Sequence, residues 1–561
     1  MPVRLLLAVL VAFGGSACRI DDGVVPPRGA PAATAREAPS ESDVLRAALA
    51  ARCRPQAPRS LRLRCEEAAR LYGREPRPLW WTQKGPSPQA RSLAALLREA
   101  ASRGLEPADY SAGARAADVA AGPVAASVWA SRDVALSLAA LRFVSDLAVG
   151  RVTPREAEVA LVPETEVHDL VAHVEALAHA RDVEAVLASI EPPFAAYGRL
   201  LAALARYRAL ARDPTLAVAL PARKVQPGER LPEAAALRRL LTATEDLRAA
   251  APPADPDLYD RALAEAVARF QSRHGLAPDG VLGRATAAAL GVPLEARVRQ
   301  IELALERFRW LPHRFAAPPI AVNIPELWLF AVRERAGRYE RADDRLAMRV
   351  IVGEAWRRQT PVFAGEMRSV VFWPFWEVPM SIAREEMLPI LRSDPDYLAR
   401  EHLELVEGFG ARATALPPTD ENLERLAAGT LRLRQTPGPH NALGLVKFLF
   451  PNPYSVYLHG TPGRHLFARE RRDLSHGCIR VEEPLRLAEH VLRGEGWTRE
   501  QVAEAMQGPE TREVRLASPV PVFVLYVTAV ARADGTVHFF EDLYGLDAKL
   551  AALLAQVPAG A

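Results

Sequence analysis

The spacing of apolar residues changes partway along the chain, and this change constrains the fold more than any other feature. From about residue 43 to 250, apolar residues recur three and four apart, which is typical of amphipathic helices. From 318 to 547, short apolar runs of strand length are separated by Gly, Pro and Asn. At 561 residues the chain is also too long for one ordinary core. We therefore predict an α+β multidomain protein, with a helical scaffold at 43–250 and a β-rich domain at 318–547.

Smaller units accompany these two regions. Residues 256–292 predict a small helical module, in which Gly275 suits a left-handed helix cap. Residues 293–317 predict a further scaffold helix and a linker. Within the β-rich domain, residues 384–430 return to helical spacing, which indicates a mixed insert that could cover a cleft. Residues 548–561 are expected to be a C-terminal tail.

The N-terminus has the pattern of an export signal. Arg4 precedes the apolar run 5–13, which is too short to span a bilayer but suits the core of a signal peptide at 1–17. Cleavage before Cys18 with lipidation would give a lipoprotein, and ordinary cleavage at the same bond is the alternative. Residues 18–42 are rich in Pro, Ala and small polar residues, which predicts a disordered tether. We expect the protein to reach the periplasm, either as a free protein or anchored by a lipid on Cys18.

Charge and cysteine content limit the range of functions that the sequence supports. The net charge is +3, from 71 basic and 68 acidic residues, so nothing in the electrostatics favours nucleic acid as a partner. Cys53 and Cys65 are close enough in sequence to close a small loop, although the sequence leaves a disulfide open. Cys478 then has no partner, and an unpaired thiol in an exported protein is a candidate reactive group.

Cys478 lies in a Ser475-His476-Gly477-Cys478 turn. Gly477 allows unusual backbone angles and close approach of a ligand. A nucleophile at such a turn leaves nearby backbone N–H groups free to face an oxyanion. The turn therefore suits a cysteine nucleophile.

His459 lies 19 residues before the cysteine, at the end of an apolar strand. A hairpin-like return of the chain would place its imidazole beside the thiol, where it could act as general base and acid. A third group must orient the ring, and the backbone carbonyl of Gly460 is the candidate. Tyr457 alternates with His459 on the same strand face.

The string from Tyr457 to Pro484 resembles the signature of L,D-transpeptidases with a YkuD-type catalytic domain, and the 256–292 module resembles a peptidoglycan-binding domain. The resemblance covers about residues 66–547, with two departures: Trp373 stands where a small polar residue is expected, and the insert is compact. Further strings that resemble the large periplasmic members of this family are LYGREPRPLW (71–80), SDLAVGRVTP (145–154), RFRWLP (307–312), VNIPELWL (322–329), RVIVGEAWRRQTPVF (349–363), PFWEVPMSIAREEMLP (374–389), RLRQTPGPHNALGLVKFLFPN (432–452) and EDLYGLD (541–547).

This resemblance implies a reaction. Cys478 would attack the peptide carbonyl after the third residue of a peptidoglycan tetrapeptide stem, release D-alanine, and pass the acyl group to a second stem as a 3→3 cross-link. His459 would be the base, Gly460 would orient it, and the amides of Gly477 and Cys478 would line the oxyanion hole. No metal or organic cofactor is implied, carbapenems would acylate the cysteine, and we predict a monomer.

Ser475 is expected to be a loop hydroxyl that fixes the turn, and four further residues have two interpretations each. His476 either shapes the turn or contacts substrate. Arg480 either grips a substrate carboxylate or pairs with one of the two glutamates that follow it. Tyr457 and Trp376 either wall the cleft or pack in the core.

Two other classes of function compete with this prediction. His459, His465, His476 and Cys478 could surround zinc in a wall amidase or carboxypeptidase, although their spacing matches no standard ligand set. A non-catalytic peptidoglycan-binding protein is the second alternative, and it would need the thiol to be dispensable.

Overall fold

The computed structural model describes residues 39–54, 59–82, 84–118, 124–161, 168–221, 223–248, 255–394 and 396–557. From Glu41 onward, the described residues form one compact unit. The predicted signal peptide, Cys18 and nearly all of the predicted tether lie outside the described residues. The last two tether residues, Glu41 and Ser42, already belong to a helix. Of the helices described, none combines the length and apolar character needed to cross a membrane.

The helices, in chain order, are α1 (Glu41–Arg52), α2 (Arg59–Tyr72), α3 (Pro88–Arg98), α4 (Ser111–Ala116), α5 (Ala126–Val149), α6 (Leu170–His179), α7 (Val183–Ile190), α8 (Ala195–Leu210), α9 (Ala234–Ala243), α10 (Arg261–Arg273), α11 (Arg284–Leu290), α12 (Leu294–Arg309), α13 (Met380–Ile382), α14 (Leu388–Ser393), α15 (Tyr397–Arg400), α16 (Asp420–Ala428), α17 (Pro484–Leu492), α18 (Arg499–Ala505) and α19 (Leu546–Gln556). The strands are β1 (Trp81–Thr82), β2 (Gly85–Pro86), β3 (Ile320–Asn323), β4 (Trp328–Arg335), β5 (Arg338–Arg341), β6 (Ala347–Gly353), β7 (Phe363–Phe372), β8 (Trp376–Glu377), β9 (Leu403–Glu407), β10 (Thr414–Leu416), β11 (Arg432–Gln435), β12 (Val446–Leu449), β13 (Leu458–His459), β14 (Asp473–Ser475), β15 (Ile479–Val481), β16 (Arg512–Leu525), β17 (Ala529–Ala531) and β18 (Val537–Phe539). Helices dominate the chain before residue 320, and nearly all strands lie after it. This arrangement confirms the predicted α+β multidomain fold class.

The predicted helical scaffold at 43–250 does not have one core. Helices α1 to α7 share a core in which α5 is central, because most of its residues are buried by its neighbours. Helix α8 instead packs in the core of the β-rich domain, and α9 packs in the core of the small module. Helical spacing identifies the helices, but the choice of partner depends on tertiary contacts that the spacing does not encode.

The small module extends before the predicted boundary at 256. Leu237 and Leu241 of α9 share a core with Val267 and Phe270 of α10. Gln271 completes the module, since its side-chain amide donates to the Asp279 carboxylate, the Val281 carbonyl and the Thr286 hydroxyl while its oxygen accepts from the Gly280 N–H. The predicted left-handed cap is present at Gly275, whose φ is +69°.

The disulfide question left open by the sequence has an answer in the structure. Cys53 at the end of α1 and Cys65 in α2 are bonded through their sulfur atoms. Among the cysteines that the structure describes, Cys478 is the one with a free thiol.

Helix α12 joins the first helical core to the β-rich domain. Ile301 and Leu305 are buried among the strands' side chains. On the other side, Glu306 accepts from the Val152 N–H at 2.8 Å, and Trp310 at the helix end donates to the Val152 carbonyl at 2.7 Å. The helix predicted within 293–317 is therefore present as α12, and it makes buried contacts on two sides.

A large sheet forms the β-rich domain. Its strand order is β14-β6-β15-β13-β12-β7-β16-β3-β4-β5, and the sheet closes because β6 also pairs with β4. Residues that face the interior, such as Val322, Val370, Leu458 and Ile479, are fully buried. The alternate residues of these strands face outward, and some of them form the candidate site.

The mixed insert is larger than the predicted 384–430. Strands β8 and β11 bracket it, and they join β9 and β10 in a separate sheet with the order β10-β9-β11-β8. Leu391, Leu405, Leu426 and Leu433 form its own core. The short bracketing strands have no clear alternating pattern, which is why the sequence did not reveal them.

The predicted C-terminal tail at 548–561 is wrong for most of its length. Helix α19 continues to Gln556, and its Leu550 and Leu554 are buried in the core of the β-rich domain. Residues 558–561 lie outside the described residues. The apolar residues four apart place this segment in the core because they form one face of a helix.

Candidate functional site

The predicted turn at Cys478 is present, and it connects two short strands, β14 and β15. Its Ser475 hydroxyl donates to the Cys478 carbonyl at 2.5 Å and accepts from the Gly477 N–H at 3.2 Å. Gly477 has a φ of +113°, which a residue with a Cβ rarely adopts. Ser475 is thus a residue that fixes the turn, and the glycine is required by the backbone conformation.

The cysteine and histidine come together through parallel strands, not through the predicted hairpin-like return. Strand β13 pairs in parallel with β15, with Leu458 opposite Ile479 and His459 opposite Arg480. The residues between them, Gly460 to Gly477, cross over and pass through β14 before β15 begins. A parallel pairing needs such a crossover, whereas a hairpin makes an antiparallel one.

Four candidate residues share the outward face of these two strands. Leu458 and Ile479 face the core, so the alternate residues Tyr457, His459, Cys478 and Arg480 face away from it. The rings of Tyr457 and His459 lie 5.6 Å apart. The structure therefore brings together the thiol, the imidazole, a phenol and a guanidinium.

His459 is buried and held in one tautomer. Its Nδ1 lies 2.6 Å from the Gly460 carbonyl, which can only accept, so a neutral ring that donates there keeps its lone pair on Nε2, and the Leu443 carbonyl is a second backbone acceptor near the ring. Burial, assisted by the positive charge of Arg480, lowers the pKa of His459 to about 3. The imidazole of the free enzyme is consequently neutral at any working pH.

The thiol of Cys478 is half-buried and makes its contacts with strand β13 and the loop before it. Its Sγ donates to the Ser455 carbonyl at 3.8 Å, and the Tyr457 hydroxyl lies in hydrogen-bonding reach of the sulfur. Burial raises the pKa of the thiol, while the Tyr457 backbone N–H, the Tyr457 hydroxyl and the charges of Lys447 and Arg480, in that order, oppose the rise. The Cys478 N–H donates to no described residue, so this amide is available to an oxyanion.

Lys447 is a site residue that the sequence did not reveal. It lies on β12 directly opposite His459 in the antiparallel pairing of β12 and β13. Its Nζ is 3.8 Å from the centre of the Tyr457 ring. Lys447 lies in the string at 432–452 that resembles the family, but only the strand register shows that it is next to His459.

Thr360 supports the turn from the β6–β7 connection. Its hydroxyl donates to the Gly477 carbonyl at 2.8 Å and accepts from the Gly353 N–H at 2.9 Å. The Gly353 carbonyl in turn accepts from the Tyr544 hydroxyl at 2.6 Å. The candidate turn is therefore attached to the core through a buried threonine and tyrosine that are remote in sequence.

The two interpretations of Arg480 and His476 can now be compared with contacts. Glu482 pairs with Arg349 at 2.7 Å, so it is not the partner of Arg480, and no other described carboxylate forms an ion pair with Arg480. His476 is half-exposed, and its Nε2 lies 3.0 Å from Glu386 in the insert. Arg358 also pairs with Glu386, at 2.5 Å. His476 thus links the Cys478 turn to the insert.

Trp376 belongs to the insert rather than to the sheet that carries the cysteine. It lies on β8 opposite Gln435 and packs, partly buried, against the insert's core. The position of Trp376 therefore agrees with packing against a core rather than with a place in the wall of the cleft. The unusual Trp373 has a φ of +47°, a conformation that a small polar residue would adopt with less strain.

The zinc alternative needs His459, His465, His476 and Cys478 to gather at one point. Within the described ranges, no three His, Cys, Asp or Glu side chains form a group that could hold a metal ion. The four candidate ligands therefore do not make one site in this structure.

Comparison with known proteins gives matches over most of the described chain. Residues 320–512 match the family described as "L,D-transpeptidase catalytic domain" (YkuD), residues 231–290 match "Putative peptidoglycan binding domain", and residues 66–204 match "Scaffold domain". A protein of Haemophilus influenzae named "Putative L,D-transpeptidase" is 34% identical over 232 residues. The match covers 41% of this chain and 45% of that relative.

These matches confirm the resemblance inferred from the motifs. The matched catalytic domain contains the Cys478 turn, His459 and the whole insert. The matched binding domain begins in front of α9, in agreement with the core that α9 shares with α10. The chain thus carries regions that match the YkuD L,D-transpeptidase catalytic domain, a peptidoglycan-binding domain and a scaffold domain.

Proposed function

We propose that the protein is a peptidoglycan L,D-transpeptidase that forms 3→3 cross-links in cell-wall biogenesis, with Cys478 as nucleophile and His459 as base. The observation that carries the proposal is the free thiol on the same strand face as a buried, tautomerically fixed imidazole. The family match of the surrounding domain and the similarity to the Haemophilus influenzae relative support it.

In the first step, the Cys478 sulfur attacks the carbonyl carbon after the third residue of a tetrapeptide stem, while the thiol proton passes to Nε2 of His459. The Cys478 N–H, which has no described acceptor, donates to the oxyanion. The Gly477 N–H already donates to Ser475 and would have to leave it to join in. Collapse of the intermediate breaks the C–N bond, and His459 returns the proton to the departing D-alanine amine.

In the second step, the side-chain amine of an acceptor stem attacks the thioester. His459 accepts the proton from that amine and returns it to the sulfur as the C–S bond breaks. The Gly460 carbonyl holds the ring orientation in both steps, as the 2.6 Å contact to Nδ1 suggests. Arg480, which has no described carboxylate partner, is positioned to bind a substrate carboxylate. No metal or organic cofactor enters either step.

Localisation and assembly follow as parts of the same proposal. A cell-wall substrate requires export, so we assign the protein to the periplasm, with 1–17 as signal peptide and Cys18 as a possible site of lipidation. The peptidoglycan-binding domain would hold the wall near the catalytic domain, and the protein would act as a monomer.

The test is incubation of purified protein with tetrapeptide-rich sacculi, followed by mass spectrometry of the muropeptides. We expect 3→3 dimers from the wild type, and none from Cys478→Ala or His459→Ala. His465→Ala is the matched control, because His465 is exposed and lies outside the pair, and it should leave the yield unchanged. A carbapenem should add covalent mass to the Cys478 peptide.

The outcomes separate the three classes of function. Dimers produced by Cys478→Ala would contradict the proposal. Loss of activity with a chelator would favour a zinc enzyme, and a wild type that binds sacculi without making products would favour a binding protein. Cys478→Ala should still co-sediment with sacculi, which shows that it is folded.

A further inference from the structure

The position of Lys447 is the feature for which the proposed mechanism has no role. Three adjacent strands, β12, β13 and β15, place Lys447, His459 and Arg480 side by side in the register. Phe448, the neighbour of Lys447, is fully buried in the core, so Lys447 projects from the outward face that also carries Cys478. The lysine is therefore part of the wall of the candidate site.

Tyr457 lies between the lysine and the sulfur. The Lys447 ammonium is 3.8 Å from the centre of the Tyr457 ring, which is a cation–π contact. The hydroxyl of the same ring is in hydrogen-bonding reach of Sγ. A cation against the ring draws electron density from it, so the hydroxyl becomes a stronger hydrogen-bond donor to the sulfur.

The lysine has no opposite charge in direct contact. Within the described ranges, no carboxylate lies within 4.0 Å of its Nζ. Glu377 on β8 is the acid that acts on it from a distance, and one oxygen of that carboxylate is used by the Gly410 N–H. Arg480 is the other cation that faces Cys478, and it too lacks a carboxylate partner.

A half-buried ammonium with no carboxylate in direct contact is unfavourable, so its position suits an anion that forms close to it. The neutral His459 does not supply positive charge to the cysteine in the free enzyme. The burial of the thiol works against its ionisation, which makes another stabilising charge necessary. The anion that fits is the sulfur of Cys478 itself.

We propose that Lys447 is a positioning residue that stabilises the Cys478 thiolate, acting through the Tyr457 ring and hydroxyl. On ionisation the S–H bond breaks, its electron pair stays on sulfur, and the proton passes to Nε2 of His459 or to solvent. The ammonium then provides a positive charge that is already in place before the imidazole is protonated. This role deepens the proposed function, and it rests on Cys478 being the nucleophile.

The experiment measures the rate of alkylation of Cys478 by iodoacetamide as a function of pH, read as adduct on the Cys478 peptide of the full chain. Lys447→Met keeps the length of the side chain but removes the charge. We expect its thiol to titrate about one pH unit higher, so that alkylation at neutral pH is about tenfold slower than in the wild type. Tyr457→Phe should shift the titration in the same direction.

Two further variants separate charge from packing. Lys447→Arg keeps a cation and should restore most of the wild-type rate. Lys224→Met removes an exposed lysine far in sequence from the site, and it should behave like the wild type. Equal circular dichroism and thermal midpoints would show that the variants are folded.

The proposal is overturned if Lys447→Met alkylates with the wild-type pH profile, or if Lys447→Arg is as slow as Lys447→Met. Alkylation needs no cell-wall substrate, so its result does not depend on the transpeptidase assay. A shifted thiol titration with no 3→3 dimers from the wild type would sustain the role of Lys447 and reject the proposed function.

Discussion

Thr360 connects the cysteine turn to the rest of the protein through one hydroxyl. It is almost fully buried, and its two partners are backbone groups of Gly353 and Gly477. A hydroxyl that both donates and accepts cannot be replaced by a methyl group without leaving two polar groups unpaired. The position of the Cys478 turn thus depends on the two hydrogen bonds of this one side chain.

Replacement Thr360→Val tests this role. We expect the free energy of unfolding to fall by about 1–3 kcal/mol, because a buried N–H and a buried C=O lose their partner. The carbapenem adduct on Cys478 should also form more slowly, since the Gly477 carbonyl is no longer held. Urea unfolding and timed mass spectrometry give the two measurements. Thr360→Ser keeps the hydroxyl and is the control, and equal behaviour of the Val variant and the wild type would contradict the prediction.

At the scale of elements, α5 organises the first helical core through a buried carboxylate. Asp133 of α5 accepts from the N–H groups of Trp80 and Trp81 at 2.8 and 3.1 Å, and from the Tyr72 hydroxyl at 2.6 Å. Because it lies in an apolar core, burial raises the pKa of Asp133 to about 6. One side chain therefore joins α5 to the end of α2 and to β1.

This raised pKa predicts a dependence of stability on pH. The folded protein holds the Asp133 proton more tightly than the unfolded chain, so the stabilisation is present at low pH and is lost as the pH rises through about 6. Between pH 7.5 and pH 5, we expect Asp133 to add about 1 kcal/mol to the free energy of unfolding. Asp133→Asn does not titrate, so the stability difference between the two proteins should change over this range. A difference that stays constant with pH would rule the effect out.

At the scale of the whole molecule, α12 couples the helical core to the β-rich domain. Glu306 and Arg309 are both nearly inaccessible and pair at 3.0 Å. The Arg309 guanidinium also donates to the Tyr197 hydroxyl of α8 and to the Arg103 carbonyl. Charges buried between two domains are costly when one partner is removed.

Replacement Glu306→Ala should therefore weaken the whole protein. The Arg309 charge would remain buried without its carboxylate, and the Val152 N–H would lose its acceptor, so we expect a loss of about 3–5 kcal/mol. Glu302→Ala is the matched control on the same helix, because its ion pairs with Arg208 and Arg299 are partly exposed and should contribute about 1 kcal/mol or less. Chemical denaturation compares the two, and similar losses would mean that Glu306 has no special coupling role.

The sequence by itself determined the fold class and the helical and β-rich regions, and it singled out the cysteine and histidine of the proposed site. These features are local: helical or strand periodicity is written in residues a few positions apart, and the Ser-His-Gly-Cys turn depends on a glycine that only a turn of this conformation needs. The capped helix at Gly275 was readable for the same reason. The family resemblance then implied the roles of nucleophile and base for Cys478 and His459, which the motif and its spacing had already singled out.

Only the tertiary structure decided which helices share a core, where the insert begins, and what surrounds the thiol. Helices α8 and α9 join cores formed by residues far along the chain, and α19 is buried where a tail was expected. The parallel pairing of β13 with β15 and the position of Lys447 follow from strand register, which involves residues that are not neighbours in sequence. Burial and register depend on contacts between distant segments, and periodicity within one segment carries no information about its partner.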